Sequence, residues 1–300
     1  MCGLADRSER GKLAISGPEA KPALNGLVTN DLEQLTAGDG LYAAVLTAKG
    51  KMLGDLRILD SGDELLLDME RAALQPVFDV LRHGLVGFGA ELHKRTLQRG
   101  LLSLIGPAAR AVAGVPELPV REHASAASVI AGAPVCVITT DLGADVLCDA
   151  ADTPAVVAEL TARGAVPMSE QAAELARIES GRPRYGVDLD DSVIPQEAGL
   201  NERAVSFTKG CYVGQETVAR LFYRGKPNRH LRGLVLSEPV VAGTALLLGE
   251  REVGQLTSSA VSPRLGPIGL SIVRREAEPG TVLRVGDGPA TAHVVALPFE

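Results

Sequence analysis

Leu13-Ala14-Ile15-Ser16-Gly17-Pro18-Glu19-Ala20 is the stretch on which the fold class turns. An apolar run makes a strand, Gly-Pro makes a turn, and a helix begins at once. Proline suits the first turn of a helix, because the N–H it lacks has no partner there. The pattern returns at Leu102-Ser103-Leu104-Ile105-Gly106-Pro107-Ala108-Ala109. Two strand-Gly-Pro-helix openings, about ninety residues apart, predict an α+β architecture with an internal duplication.

Working outward, residues 40–46 read as a strand, 47–51 as a glycine turn, and 52–59 and 64–69 as the returning strands of a meander. Spacing at Leu74, Val77, Phe78 and Leu81 predicts a helix over 70–81. Residues 129–140 and 144–148 read as a strand pair turning at Asp141-Leu142-Gly143. Ser169 is placed to cap a helix through Ala172, Leu175, Ala176 and Ile178, which Gly181 ends and Pro183 stops. From about Arg229, short apolar runs at 231–236, 245–248, 253–256, 268–273, 282–285 and 292–297 alternate with glycine and proline. Their even spacing predicts a small C-terminal antiparallel β-barrel. The chain thus divides into residues 1–227 and 228–300.

Composition narrows the function classes. With 46% apolar residues, no tryptophan and only 3% aromatics, the core must be aliphatic. A net charge of −7 argues against a nucleic-acid surface. No apolar run has membrane-spanning length. The first dozen residues carry Asp6, Arg7, Glu9, Arg10 and Lys12, and read as neither a secretory signal nor an apolar core segment. Cys2, Cys136, Cys148 and Cys211 lack metal-finger spacing, and free thiols fit a reducing cytoplasm. Cys136 and Cys148 sit in apolar runs as inert core residues. The scattered histidines His83, His93, His123, His230 and His293 form no metal pair and receive no role.

Lys209-Gly210-Cys211-Tyr212-Val213-Gly214-Gln215-Glu216-Thr217 is the most constrained polar stretch. Gly210 and Gly214 permit a tight loop. That loop displays Cys211 beside the Lys209 cation, a setting that favours a reactive thiolate. Gln215 and Glu216 are placed to hold the loop rather than to react. The helix-like run 218–222 follows, and beyond it Arg220, Arg224, Lys226, Arg229 and Arg232 form a basic run in an acidic chain. That run reads equally as an anion site, as an acidic partner's dock, or as a solvated face.

Two further stretches carry a resemblance. Arg177-Ile178-Glu179-Ser180-Gly181-Arg182-Pro183-Arg184-Tyr185-Gly186 and Ile194-Pro195-Gln196-Glu197-Ala198-Gly199-Leu200 resemble the central signature of the glycine cleavage T-protein superfamily. Residues 27–32, 50–56, 253–258 and 268–271 resemble other segments of it. Lys209 to Glu216 resembles the signature of the YgfZ family, folate-binding relatives of the T-protein that act in iron–sulfur protein maintenance. The resemblance spans essentially the whole chain. It implies a T-protein-like ring of α+β subdomains around a central folate channel, followed by the barrel. It also implies tetrahydrofolate as ligand, with no stable metal. Glu179 would be the bidentate partner of the pterin, with Arg177, Tyr42 and Arg224 as further contacts.

Aminomethyltransferases of the superfamily typically carry two consecutive aspartates where this chain has Gly54-Asp55. The single carboxylate argues against aminomethyl transfer while leaving folate binding intact. A lone Cys211 cannot hold a four-iron cluster, which needs about four thiolates, so any iron or cluster it ligates is transient, shared with a partner chain, or completed by folate or small thiols. Three readings follow. The first is a cytoplasmic tetrahydrofolate-binding protein serving iron–sulfur client or assembly proteins, with Cys211 as its functional thiol. The second is a folate-dependent aminomethyl or one-carbon transferase. The third is a folate sensor or interaction module without chemistry.

Overall fold

The computed structural model describes residues 1–299. An antiparallel five-stranded sheet runs in the order Gly40–Leu46, Met52–Asp60, Glu64–Met69, Gly11–Ser16 and Glu91–Lys94. A six-stranded sheet follows the order Ala165–Pro167, Cys2–Asp6, Arg99–Ile105, Gly143–Asp149, Ala133–Thr140 and Ser125–Ile130. Its one parallel pair joins Cys2–Asp6 to Ala165–Pro167. The two Gly-Pro openings have the same form in both sheets. Gly17 and Gly106 both adopt positive φ, and a Cβ on either would strike a backbone oxygen, Gly89 O at 2.4 Å or Met1 O at 2.6 Å. Only glycine lets the strand turn this closely into its helix.

The third sheet is antiparallel and seven-stranded, in the order Arg251–Gln255, Ala245–Leu248, Val282–Val285, Thr291–Val295, Arg229–Leu236, Gly266–Arg274 and Ser258–Ser262. It rolls up. Ser271 Oγ donates to Gln255 O at 2.6 Å, which brings the first strand of that order onto the sixth. The architecture is therefore α+β with a C-terminal antiparallel barrel, as the spacing predicts.

Each sheet covers an aliphatic core. Leu59, Leu101, Ile138 and Leu147 pack the first two sheets together, and burying such side chains stabilises by roughly 2 kcal/mol each. Helix Glu170–Glu179 packs on the barrel strands Ser258–Ser262 and Gly266–Arg274. Ser169 Oγ caps it by accepting from Ala172 N at 3.2 Å, and Ile178 packs with Leu231, Ile268 and Leu270.

Three expectations need correction. Residues 129–140 are not one strand, because Ala131 and Gly132 take positive φ and turn the chain back as a hairpin. The N-terminal segment is core after all: Cys2, Leu4 and Ala5 are buried in a strand whose polar tip alone carries Asp6. The helix expected over 70–81 is Leu74–Gly84, entered through a short 3-10 turn at Arg71–Ala73.

Candidate functional site

The first two sheets and helix Glu170–Glu179 enclose a cavity of about 240 Å³. Seven arginines and seven Asp/Glu side chains line it, and the pairing among them decides its character. Arg57 bridges the sheets, its Nη2 donating to Asp68 Oδ2 at 2.9 Å and its Nη1 to Asp145 Oδ2 at 2.7 Å. Ser103 Oγ holds the other Asp145 oxygen. Arg10 binds Asp68 and Glu70, Arg182 binds Asp141, Arg203 binds Glu122, and Arg184 reaches Glu70 at 3.1 Å. Burial works against the Asp68 carboxylate, but Arg10 and Arg57 overcome it and hold its pKa below the usual range. Among the described residues, Asp55 is the one carboxylate of the seven without an arginine partner.

Asp55 lies on strand Met52–Asp60 and is 5% exposed. Across the neighbouring strand Ala44 faces it directly, and Tyr42 stands two residues along on the same sheet face. Tyr42 Oη donates to Asp55 Oδ2 at 2.5 Å. Burial raises the Asp55 pKa to about 6; the Tyr42 bond opposes that rise and Glu70 adds to it. Tyr42 itself is held protonated by burial and by the neighbouring Asp55.

Gly54 points the other way, since successive strand residues face opposite sides. A Cβ there would stand 2.7 Å from Ala73 Cβ and 2.8 Å from Val77 Cγ2. A carboxylate at this position would press into helix packing, not into the cavity. The argument against transfer from a missing second aspartate therefore fails. The carboxylate that faces the cavity is the one this chain keeps.

Other residues singled out in the sequence scatter. Arg177 reaches the cavity wall, but its guanidinium is committed to Asp188 Oδ2 at 2.8 Å, Ser258 Oγ at 2.7 Å and Glu174. Glu179 is not part of the lining; its carboxylate accepts from Ser262 Oγ and ties the helix to the barrel. Arg224 is exposed at the end of helix Gln215–Arg224, outside the cavity. Arg229 also lies outside and pairs with Glu197 through two bonds of 3.0 and 2.9 Å. Besides Arg177, the cavity's cations come from Arg7, Arg10, Arg57, Arg182, Arg184 and Arg203. These are separated in sequence, and only the sheet pairing brings them together.

The loop around Cys211 has two sides. Lys209 is 9% exposed, and its Nζ donates to Asn25 O, Asn25 Oδ1, Val28 O and Asn30 O at 2.6–3.0 Å. Burial lowers its pKa to about 8, with the Asp31 and Glu33 carboxylates opposing that fall. Tyr212 is buried beneath it, with Nζ 5.5 Å from the ring centroid. Gly214 has φ 85°, and a Cβ there would meet Thr47 O at 2.6 Å. Gln215 N donates to Tyr212 O, closing the turn. Cys211, Gly210 and Glu216 are exposed. Lys209 is thus a brace to the 25–30 segment, its bonds spent on oxygens rather than on the thiol. None of these loop residues lines the cavity. Beside them Phe207 and Phe222 stack at 3.7 Å, with Phe222 46% and Tyr223 66% exposed. No group of three or more His, Cys, Asp or Glu side chains is arranged to hold a metal among the described residues, and no helix there is long and apolar enough to cross a membrane.

Comparison with known proteins matches residues 1–209 to the GCVT N-terminal domain and 229–299 to the glycine cleavage T-protein C-terminal barrel domain. An aminomethyltransferase of Rubrobacter xylanophilus is 30% identical, with 99% of this chain and 82% of that protein covered. One of Saccharopolyspora erythraea is 32% identical, with 99% and 86% covered. The crystal structure of the glycine cleavage system aminomethyltransferase T from Bartonella henselae superposes with a TM-score of 0.87 at 24% identity, covering 100% of this chain and 86% of that one, which establishes the shared fold. By sequence and architecture, the chain belongs to the glycine cleavage T-protein family.

Proposed function

We propose that the central cavity binds a reduced folate and that the chain is a folate-dependent one-carbon transferase of the aminomethyl type. The observation that carries this is the Tyr42–Asp55 pair, a buried cavity carboxylate free of arginine whose pKa burial raises to about 6. The kinship with proteins named aminomethyltransferase at about 30% identity supports it. The cavity suits the ligand in size and chemistry. About 240 Å³ is below the roughly 300 Å³ at which pockets begin to enclose whole drug-sized ligands, so it holds a bicyclic head while a tail reaches outward.

Bound tetrahydrofolate supplies ring nitrogens that carry a one-carbon unit. The chain supplies the rest. Tyr42 Oη fixes one Asp55 oxygen and leaves the other to face the ligand. A pKa of about 6 lets Asp55 exchange a proton at that oxygen near neutral pH, the match that general acid–base catalysis needs. The paired arginines keep the walls rigid without offering loose cations. Asp55→Asn is expected to lower turnover with a lipoyl-linked aminomethyl donor by about 100-fold or more, with tetrahydrofolate affinity changed far less. Wild-type protein that binds tetrahydrofolate yet shows no turnover with that donor would remove the transferase reading.

A second reading has its own support. The Cys211 thiol is exposed on a loop whose buried half is braced by Lys209. That is the arrangement expected of a YgfZ-type protein whose thiol meets an iron–sulfur client. A deletion strain that loses iron–sulfur enzyme activity, and regains it with wild type but not with Cys211→Ala, would establish this role. Full rescue by Cys211→Ala would dismiss it.

A further inference from the structure

Arg57, Arg177 and Arg203 on the cavity wall each leave one Nε unpaired but bond through their other nitrogens, whereas His123 has no such second bond. Its side chain lines the cavity and is 8% exposed, yet neither Nδ1 nor Nε2 has a hydrogen-bond partner among the described residues. Glu122 Oε1 lies 3.5 Å from Nε2 without bonding geometry, and that carboxylate already accepts from Arg203. Native folds rarely leave buried polar atoms unpaired, because each has given up its water.

The backbone adds a second anomaly. His123 has φ 69°, in the left-handed region that a non-glycine residue seldom enters. The fold holds it there from three sides. His123 N donates to Thr139 O, Thr139 N to Ala124 O, and Ser125 N to Gly38 O, all at 2.8 Å. Gly40 permits the close approach, since a Cβ there would come within 2.8 Å of His123 O and 2.9 Å of its Cβ. Strain and unmet polarity at one residue mark a place where the structure over-determines a side chain for some purpose other than stability.

Its neighbours indicate the purpose. The imidazole stacks with the Tyr42 ring at a centroid distance of 6.3 Å and an angle of 29°. Tyr42 is the residue that holds Asp55, and the Arg203 guanidinium lies 4.9 Å from its ring. Burial, then the Arg57 and Arg203 charges, push the His123 pKa down to about 3, with Asp68 opposing and Arg182 adding to the fall. At neutral pH the ring is therefore uncharged, with one N–H to donate and one nitrogen to accept.

We propose that His123 is a ligand-contacting residue of this cavity, its imidazole offering one ring nitrogen, as donor or acceptor, to the heterocycle bound beside Tyr42 and Asp55. The inference rests on the folate reading above. It deepens that reading by assigning orientation to a residue that makes no ion pair, in a cavity whose arginines are already committed to carboxylates. The two ring nitrogens point apart, so one of them meets the ligand, and the tautomer decides whether it donates to a ring nitrogen or carbonyl or accepts from a ring N–H.

Titration calorimetry with tetrahydrofolate under reductant, alongside thermal unfolding, tests it on wild type, His123→Phe and His123→Asn. His123→Phe keeps a ring but removes both nitrogens. It is expected to bind at least tenfold more weakly while melting no lower than wild type. His123→Asn keeps a donor and an acceptor and tolerates the left-handed backbone. It is expected to melt at or above wild type and to bind more tightly than His123→Phe. Unchanged affinity in His123→Phe would overturn the proposal. So would two variants that melt lower but bind normally, which would make His123 a packing residue. Wild type that fails to bind tetrahydrofolate would overturn the folate reading, and this inference with it.

Discussion

The central cavity and the Cys211 loop handle polar groups in opposite ways. In the cavity, arginines and carboxylates are paired across two sheets, which leaves Asp55 without a cation and both His123 ring nitrogens without a hydrogen bond among the described residues. In the loop, one short run of sequence is divided between inside and outside. Lys209, Tyr212 and Gly214 face in and serve the fold, while Cys211 and Glu216 face out. The cavity is assembled from long-range pairing, so its function is carried by what remains unpaired. The loop is assembled locally, so much of its motif is explained by structure before any chemistry is invoked. A conspicuous motif is therefore not by itself a site.

The largest expected effect tests the inward half of the loop. Lys209→Met removes the donor to four oxygens of the 25–30 segment and leaves buried carbonyls unmet. Urea unfolding should show a loss of about 4 kcal/mol. A loss below about 1 kcal/mol would mean that water replaces the ammonium, and would break the division between structural and displayed residues.

Next comes Gly54→Asp, which restores the doublet of aspartates. It is expected to destabilise by about 3 kcal/mol, because the new side chain strikes Ala73 and Val77 and buries a charge among apolar groups. Unchanged stability together with raised turnover would show that position 54 reaches the cavity after all.

Asp55 gives a pH signature of somewhat smaller size. In the fold its carboxyl keeps its proton up to about pH 6, whereas the unfolded chain releases it near 3.8. Between those values the native state binds more protons, so this group's contribution to stability falls as pH rises through the window and is flat above it. The shift corresponds to about 2–3 kcal/mol. Asp55→Asn should therefore gain on wild type by that amount between pH 4 and pH 7, measured by denaturant unfolding. A constant difference across that range would mean that Asp55 is ionised throughout.

These residues also show what the sequence could reveal. Periodicity located the barrel strands at 245–248 and 282–285 to the residue, and the Ser169 cap, because those signals are local. It missed the strand Cys2–Asp6, whose burial depends on neighbours contributed by residues 99–105 and 165–167. In the cavity, Tyr42 and Asp55 were legible only through family resemblance. The arginine–carboxylate lattice was not, because Arg57 meets Asp145 across 88 positions of chain. His123 gave no signal at all. Its left-handed backbone and its stacking on Tyr42 exist only once three separate segments have closed around it. A histidine after Glu122 in a loop of small residues looks like any other.

The smallest expected effect is the one that sharpens the contrast most. Cys211→Ala removes one exposed sulfur from a loop whose anchors are elsewhere, so stability should change by no more than about 0.5 kcal/mol. Tetrahydrofolate affinity should also stay within twofold or so, because Cys211 does not line the cavity. If either quantity moves well beyond this, the loop and the cavity are mechanically joined, and Gly214, whose backbone abuts Thr47 and Gly50 just before strand Met52–Asp60, is the point of contact through which they communicate. If neither moves, the thiol is free to be read by its effect on partners alone. A loss of function in cells would then belong to surface chemistry and not to folate binding, which is the separation that a folded, folate-competent Cys211 variant makes possible.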